Sequence, residues 1–260
     1  RFYGYNVIGM YKTADDFYQK NSKGEFLLDA AGNKVPTPRP ADGDGKMYPI
    51  APNSIWVGDY IFEDVNGDGK IDNNDRTFIG DPNPDFTFGL NNTITWKNFD
   101  FSFFINGSVG GDIYNYVRQG HTNPEKYGNM MKEVAGYAKI GLIDPNGSAT
   151  DINNVYVTNP TTATTQRIST AGQSQNDNNR VSSRFVEDGS YLRLKSISLT
   201  YNFPKKWLAP LQIQSLSIYG NIQNLFTITG YDGYDPEIGA NGQSVILQNI
   251  DNYRYPSQRI

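Results

Sequence analysis

The sequence predicts an all-β fold, a transmembrane antiparallel β-barrel segment with long extracellular loops. Three observations predict it: strict two-residue alternation in several stretches, strands long enough to cross a bilayer, and connections of very unequal length. Period two marks a strand with one apolar and one polar face, whereas an amphipathic helix repeats near 3.6.

The clearest stretch runs from Phe86 to Trp96. Phe86, Phe88, Leu90, Ile94 and Trp96 share one face, with Asn92 the exception, and Thr87, Gly89, Asn91, Thr93 and Thr95 share the other. Lys97-Asn98 reads as a two-residue turn. A second run follows, with Phe99, Phe101, Phe103, Ile105 and Val109 on one side and Asp100, Ser102, Asn106 and Ser108, joined by Phe104, on the other. From Ser190 to Phe203 the alternation places Tyr191, Ile197, Leu199, Tyr201 and Phe203 together, with Arg193 and Lys195 on that same face. Such cations are tolerable on a lipid side only near an interface, where long stems snorkel. The fourth stretch, Ser215 to Thr227, turns Leu216, Ile218 and Ile222 outward and Ser217, Tyr219, Asn221 and Gln223 inward.

Length separates a barrel from a β-sandwich. Phe86 to Trp96, at about 3.3 Å per residue and tilted by ~40°, rises roughly 28 Å, against an apolar band of about 25 Å in outer-membrane barrels. The connections alternate short and long: two residues at Lys97-Asn98, then residues 110–189, rich in Asn, Thr, Gly and Ser, then a short link after Pro204. Barrels of this kind alternate short periplasmic turns with long extracellular loops. The expected organisation is therefore external loop over 1–85, a membrane hairpin over 86–109, a long external loop over 110–189, a second hairpin over 190–228, and external loop with the start of a last strand over 229–260.

Composition bounds the alternatives. The 260 residues include no cysteine, which excludes disulfides and thiol chemistry, and a formal charge of −4, which offers no basic footprint for nucleic acid. A mean hydropathy of −0.58 looks soluble, yet half of every barrel strand faces a wet lumen, so hydropathy averages out. No apolar run is long enough for a transmembrane helix, and no signal peptide opens the chain at Arg1-Phe2-Tyr3-Gly4. The 18 tyrosines and 14 phenylalanines favour strands, and the 26 glycines and 14 prolines interrupt them.

One motif carries metal chemistry. Asp64, Asn66 and Asp68 occupy positions 1, 3 and 5 of a calcium-type loop, Gly69 the sharp turn, Lys70 the backbone-carbonyl position, Asp72 a water-mediated position and Asp75 the closing one. Alternate residues of a curled loop converge on one point and supply the hard oxygens that Ca2+ needs. The flanks read as extended rather than helical, so the expectation is a structural ion bracing a loop, with a metal-free Asn/Asp/Gly turn as its rival. Catalysis finds no support: His121 is the only histidine, no nucleophile or phosphate motif occurs, and adjacent acids such as Glu63/Asp64 point apart on a strand. Tyr114, Tyr116, Tyr127, Tyr137, Tyr231, Tyr234, Tyr253 and Tyr255 crowd the loops, as girdle, packing or ligand-stacking residues.

The segments Gly58-Asp-Tyr60, Asp64 to Asp72, Asn74 to Gly80, Pro82 to Phe88, Phe99 to Phe104, Gly111 to Asn115, Ser190 to Ser196, Gln223 to Phe226 and Gly230 to Glu237 together resemble the late region of SusC/RagA-type TonB-dependent transporters. They occur in family order from about Phe2 to Pro256. The resemblance implies part of a 22-stranded barrel, roughly the plugged type of outer-membrane transporters, in the cell outer membrane of a Bacteroidetes-type Gram-negative bacterium. It implies a SusD-like surface lipoprotein as lid, energy from TonB, and oligosaccharide or peptide cargo. The chain departs from that pattern in lacking the plug, the TonB-contacting motif and most strands. It stops at Tyr255 to Ile260, where a last strand would begin, so a C-terminal barrel fragment is expected. Two other readings stay open: a soluble secreted β-sandwich carbohydrate-binding module with a calcium-type loop, and a glycan hydrolase domain with paired carboxylates.

Overall fold

The computed structural model describes residues 1–124, 128–169, 175–238 and 248–252. They fold predominantly as β-structure in two compact units, Arg1–Gly80 with Asn115–Val186, and Asp81–Tyr114 with Glu187–Ile260. No helix among the described residues is long and apolar enough to cross a membrane, which says nothing of strands.

The second unit is built on four long strands, β1 (Pro84–Trp96), β2 (Phe99–Gly110), β3 (Tyr191–Asn202) and β4 (Ser217–Thr229). They form one antiparallel sheet in the order β4-β3-β2-β1. The β1–β2 hairpin closes on Trp96 opposite Phe99, with Lys97 in the left-handed region at φ 54°. Directly opposed residues share a face. Leu90 with Ile105, Ile94 with Phe101, and Trp96 with Phe99 make one apolar surface, which Leu199 and Tyr201 continue across β3. On the other side Thr93, Ser102, Ser198 and Asn221 line up across all four strands. Phe104 lies on that polar side. Gly89 leaves it room, since a Cβ there would stand 3.2 Å from its ring.

The structure corrects one face. Simple alternation put Tyr191, Arg193 and Lys195 with the apolar residues of β3. Instead the register shifts between Leu194 and Ser196, against β2 as well as β4. Lys195 is the extra residue against β2, and Asn224, at φ 49°, lies in the matching irregularity of β4. A bulge changes the parity of a strand. Beyond it Leu192 and Leu194 join the apolar face, opposite Gly107 and Ile105. Arg193, opposite Asn106 and Thr227, belongs to the polar one. No cation is left in the middle of the apolar face.

That face has no cover among the described residues. Phe86, Leu90, Ile94, Trp96, Ile218, Ile222 and Ile228 are all exposed. Each such side chain gains about 1.5–3 kcal/mol when removed from water, so the surface needs an apolar environment.

The first unit has an interior of its own. Residues 1–85 and 110–189 were expected as separate loops, but 1–80 and 115–186 pack together around Tyr11, Phe17, Ile55, Trp56, Val57, Ala138, Val155 and Val157. The Tyr11 and Phe17 rings stack at 4.2 Å. Short antiparallel pairs frame this core: Phe2–Gly4 with Thr77–Gly80, Val7–Met10 with Tyr60–Phe62, and Ile140–Leu142 with Val155–Val157.

Candidate functional site

The calcium-type loop is held by short-range hydrogen bonds among its own residues. Asp64 accepts from the amides of Gly67 (2.7 Å) and Gly69 (2.8 Å), and Asn66 accepts from Asp68 N (3.0 Å). Asp68 accepts from Lys70 N at 3.2 Å. Asp72 caps the short turn Asn73–Asp75 through Asn74 N at 2.8 Å, while buried Asp75 accepts from Val65 N (3.0 Å) and Asp72 N (2.7 Å). The Lys70 ammonium stands 3.3 Å from Asp72 and 3.8 Å from Asp68. Among the described residues no three His, Cys, Asp or Glu side chains are grouped to hold a metal. Of the expected set, Asp64, Asn66, Asp68, Asp72 and Asp75 accept from the loop's own amides, and the Lys70 ammonium lies beside the carboxylates of Asp68 and Asp72.

The same loop edges a cleft of about 600 Å3 in the first unit, lined among others by Tyr5, Tyr48, Lys70, Asp72, Asn73 and Arg180. Arg180 lies over the rings of Tyr5 (4.6 Å) and Phe62 (4.7 Å) and donates to the carbonyls of Asn176 (2.8 Å) and Asp177 (3.2 Å). Burial pulls its pKa below the usual guanidinium value.

The first unit also holds a buried polar network that sequence reasoning missed. Asp59, fully buried, is gripped by Arg167, with Nε to Oδ1 at 2.8 Å and Nη2 to Oδ2 at 3.1 Å. Trp56 N and Asn178 Nδ2 complete its shell at 2.8 and 2.9 Å. Arg167 also donates to the carbonyls of Pro52 and Ser54. Gly58 permits this approach, because a Cβ there would meet Arg167 Cβ at 2.9 Å and φ is +91°. Asn176 and Asn178 hold the main chain of Tyr60 at 2.9 Å each. The Asn-rich stretch expected as loose loop is thus pinned at these points. Its signal in the sequence was Gly58-Asp-Tyr60, noted there only as part of a family pattern.

On the polar face of the sheet, Arg193 binds Asp235 (2.5 Å), Glu237 (2.8 Å) and Thr227 Oγ1 (2.8 Å), and Lys195 binds Glu237. These bonds lay residues 235–237 against β3 and β4. Of the loop tyrosines, Tyr114 and Tyr231 are buried, and Tyr231 donates to Asp251 at 2.6 Å, whereas Tyr116 and Tyr234 are exposed. Tyr127, Tyr253 and Tyr255 lie outside the described residues, as does the expected start of a last strand.

Fold and site together define a predominantly β chain, with a long-stranded sheet apolar on one face and polar on the other, and a second unit with its own core and a buried polar network. No protein-family model matches the chain. It is 35% identical over 206 residues to TonB-dependent receptor P3 of Formosa agariphila, covering 78% of this chain and 18% of that receptor. It is 30% identical over 224 residues to TonB-dependent receptor SusC of Bacteroides thetaiotaomicron, covering 80% and 19%. A chain of the RagAB peptide transporter matches in fold, with TM-score 0.53 and 20% identity over 98% of this chain and 21% of its own length. The RagAB peptide importer in its closed-closed state matches with TM-score 0.50 and 20% identity over the same shares. The chain is homologous to TonB-dependent receptors, proteins named as receptors rather than enzymes, and spans about a fifth of the length of the relatives it matches.

Proposed function

We propose that this chain is a late section of a TonB-dependent outer-membrane importer of Gram-negative, Bacteroidetes-type bacteria, supplying part of the barrel wall and extracellular loops. The observation that carries the reading is the four-strand sheet with one continuous apolar face, cleared of central charge by the bulge at Lys195. Strands of this length, alternating apolar-out and polar-in, suit a lipid-facing wall. In this reading the parent protein closes the barrel with further strands, carries the plug and contacts TonB elsewhere. A SusD-like lipoprotein caps the loop side, and oligosaccharides or peptides are the cargo. The Tyr5, Tyr48 and Arg180 cleft and the polar face around Asn106, Asn221 and Gln223 are the surfaces that such cargo would meet.

The test is purification of the full-length protein that carries this chain. Detergent-dependent solubility, protease protection of β1–β4 in vesicles and co-purification of a surface lipoprotein are expected. Recovery of the chain as a detergent-free stable monomer would instead favour the secreted β-sandwich carbohydrate-binding module.

A further inference from the structure

The two ends of the sheet differ in charge. At the end where β2 and β3 begin and finish respectively, Trp96, Phe99, Tyr201 and Phe203 form a chain of ring contacts between 4.8 and 6.4 Å. The Lys97-Asn98 turn is tied to the end of β3, with Asn202 N donating to Asn98 O at 2.8 Å and Asn98 Nδ2 to Asn202 O at 2.6 Å. The connection from β3 to β4 adds Lys205, Lys206 and Trp207 on the short helix Lys205–Leu208, followed by exposed Leu211 and Ile213. Lys97 lies 4.7 Å over the Trp96 ring, and none of the three lysines forms an ion pair among the described residues. The opposite end is acidic, with Asp81, Asp85, Asp112, Glu187, Asp188 and Asp232 beside the strand ends. Its cations Arg193 and Lys195 are held by Asp235 and Glu237.

We infer that the basic, aromatic rim of Lys97, Lys205, Lys206, Trp96 and Trp207 is a docking surface for anionic phospholipid headgroups. The inference rests on the membrane-wall reading above and goes beyond it by assigning the lipid chemistry at one end. Indole rings favour the boundary where one side is apolar and the other wet. Lysine stems lie along apolar surface while their ammonium groups reach out to phosphates, and unpaired basic residues beside a bilayer select anionic lipid. Continuity with the apolar face and charge complementarity both point to this occupant. The acidic end would repel it, so the contrast also sets which end faces the phospholipid leaflet.

The chain has no cysteine, so a bimane label on Gln214→Cys in the full-length protein, with any cysteine outside this chain replaced, reports on the rim alone. In reconstituted vesicles, brominated phosphatidylglycerol should quench this label roughly two- to threefold more strongly than brominated phosphatidylethanolamine at equal mole fraction. The preference should shrink with added salt, and it should vanish in Lys97→Gln/Lys205→Gln/Lys206→Gln while quenching by phosphatidylethanolamine persists. Equal quenching by the two lipids in the unsubstituted protein, or a preference that survives both salt and the triple substitution, would overturn the inference. A second label at Leu90→Cys separates the two readings. If Leu90 is quenched by chain-brominated lipid and Gln214 by neither lipid, a protein covers the rim and only this inference fails. If Leu90 is not quenched, the wall reading fails as well.

Discussion

In the first unit Tyr11, Phe17, Ile55 and Phe185 are almost completely buried, while in the second Phe86, Leu90, Ile94 and Ile218 remain exposed on a sheet. The two units treat polar groups differently too. The first sinks Asp59, Arg167, Asn176 and Asn178 into its interior, where Arg167 and Asn178 donate to Asp59 and the Asn176 amide nitrogen to Tyr60 O. The second buries a few such groups, Arg193 with Asp235 and Tyr231 with Asp251, beside a sheet whose Thr93, Ser102, Ser198 and Asn221 line one polar face. A buried ion pair of this kind holds because every donor is matched, whereas the sheet depends on what lies against it. The contrast teaches that interior contacts maintain the first unit's shape, and that surroundings complete the second.

The most damaging break of this contrast is in the first unit. Arg167→Ala strands the Asp59 carboxylate in a dry interior. It should cost about 3–5 kcal/mol there, read as loss of hydrogen-exchange protection over residues 55–60, 165–169 and 175–178 with β1–β4 unaffected. Equal loss in both regions would show that the two do not behave as separate units. Phe17→Ala removes a stacked ring from the core, with an expected loss of about 3–5 kcal/mol by the same readout.

The sheet answers to a different kind of change. Ile197→Arg on the apolar face should cost about 2–4 kcal/mol when folding into vesicles is titrated with denaturant. Ser198→Arg, one residue on, should stay within roughly 0.5 kcal/mol. Similar costs at both positions would mean that neither face is in lipid.

The smallest effect concerns the loop at 64–75. The Asn74 amide, with Lys70 nearby, holds the Asp72 carboxyl below its usual pKa. A carboxyl depressed by folding contributes stability that is present above its unfolded value of about 3.9 and is lost as pH falls through the lower folded one. Exchange of the Asn74 amide, corrected for intrinsic rate, should therefore accelerate only below the ordinary carboxylate range. Lys70→Ala should weaken the loop, and millimolar calcium should leave the unsubstituted loop unchanged. Strong protection by calcium would favour the ion-braced reading.

How much of this was legible follows from the range of each interaction. Alternation within a strand is local, so β1, β2 and the Lys97-Asn98 turn could be read from neighbouring residues. The bulge at Lys195 could not, because parity there is settled by partners on β2 and β4, and alternation alone left Arg193 on the wrong side. The first unit's core was hidden for a similar reason. Its members follow no period, and Asp59 finds Arg167 108 residues away. The loop at 64–75 was legible as a pattern, and the Asp, Asn and Gly positions that curl around an ion also cap a turn on their own amides, so one set of residues serves both readings.

The bulge has a consequence for assembly. A straight strand can slide by two residues past its neighbours and still present the same faces. With an extra residue at 195 against β2 and an answering irregularity at Asn224 in β4, such a slip would drive an unpaired residue into the ladder on both sides. β3 therefore has a single berth between its neighbours. The register of the whole sheet is thereby fixed at its middle, from both sides of one strand.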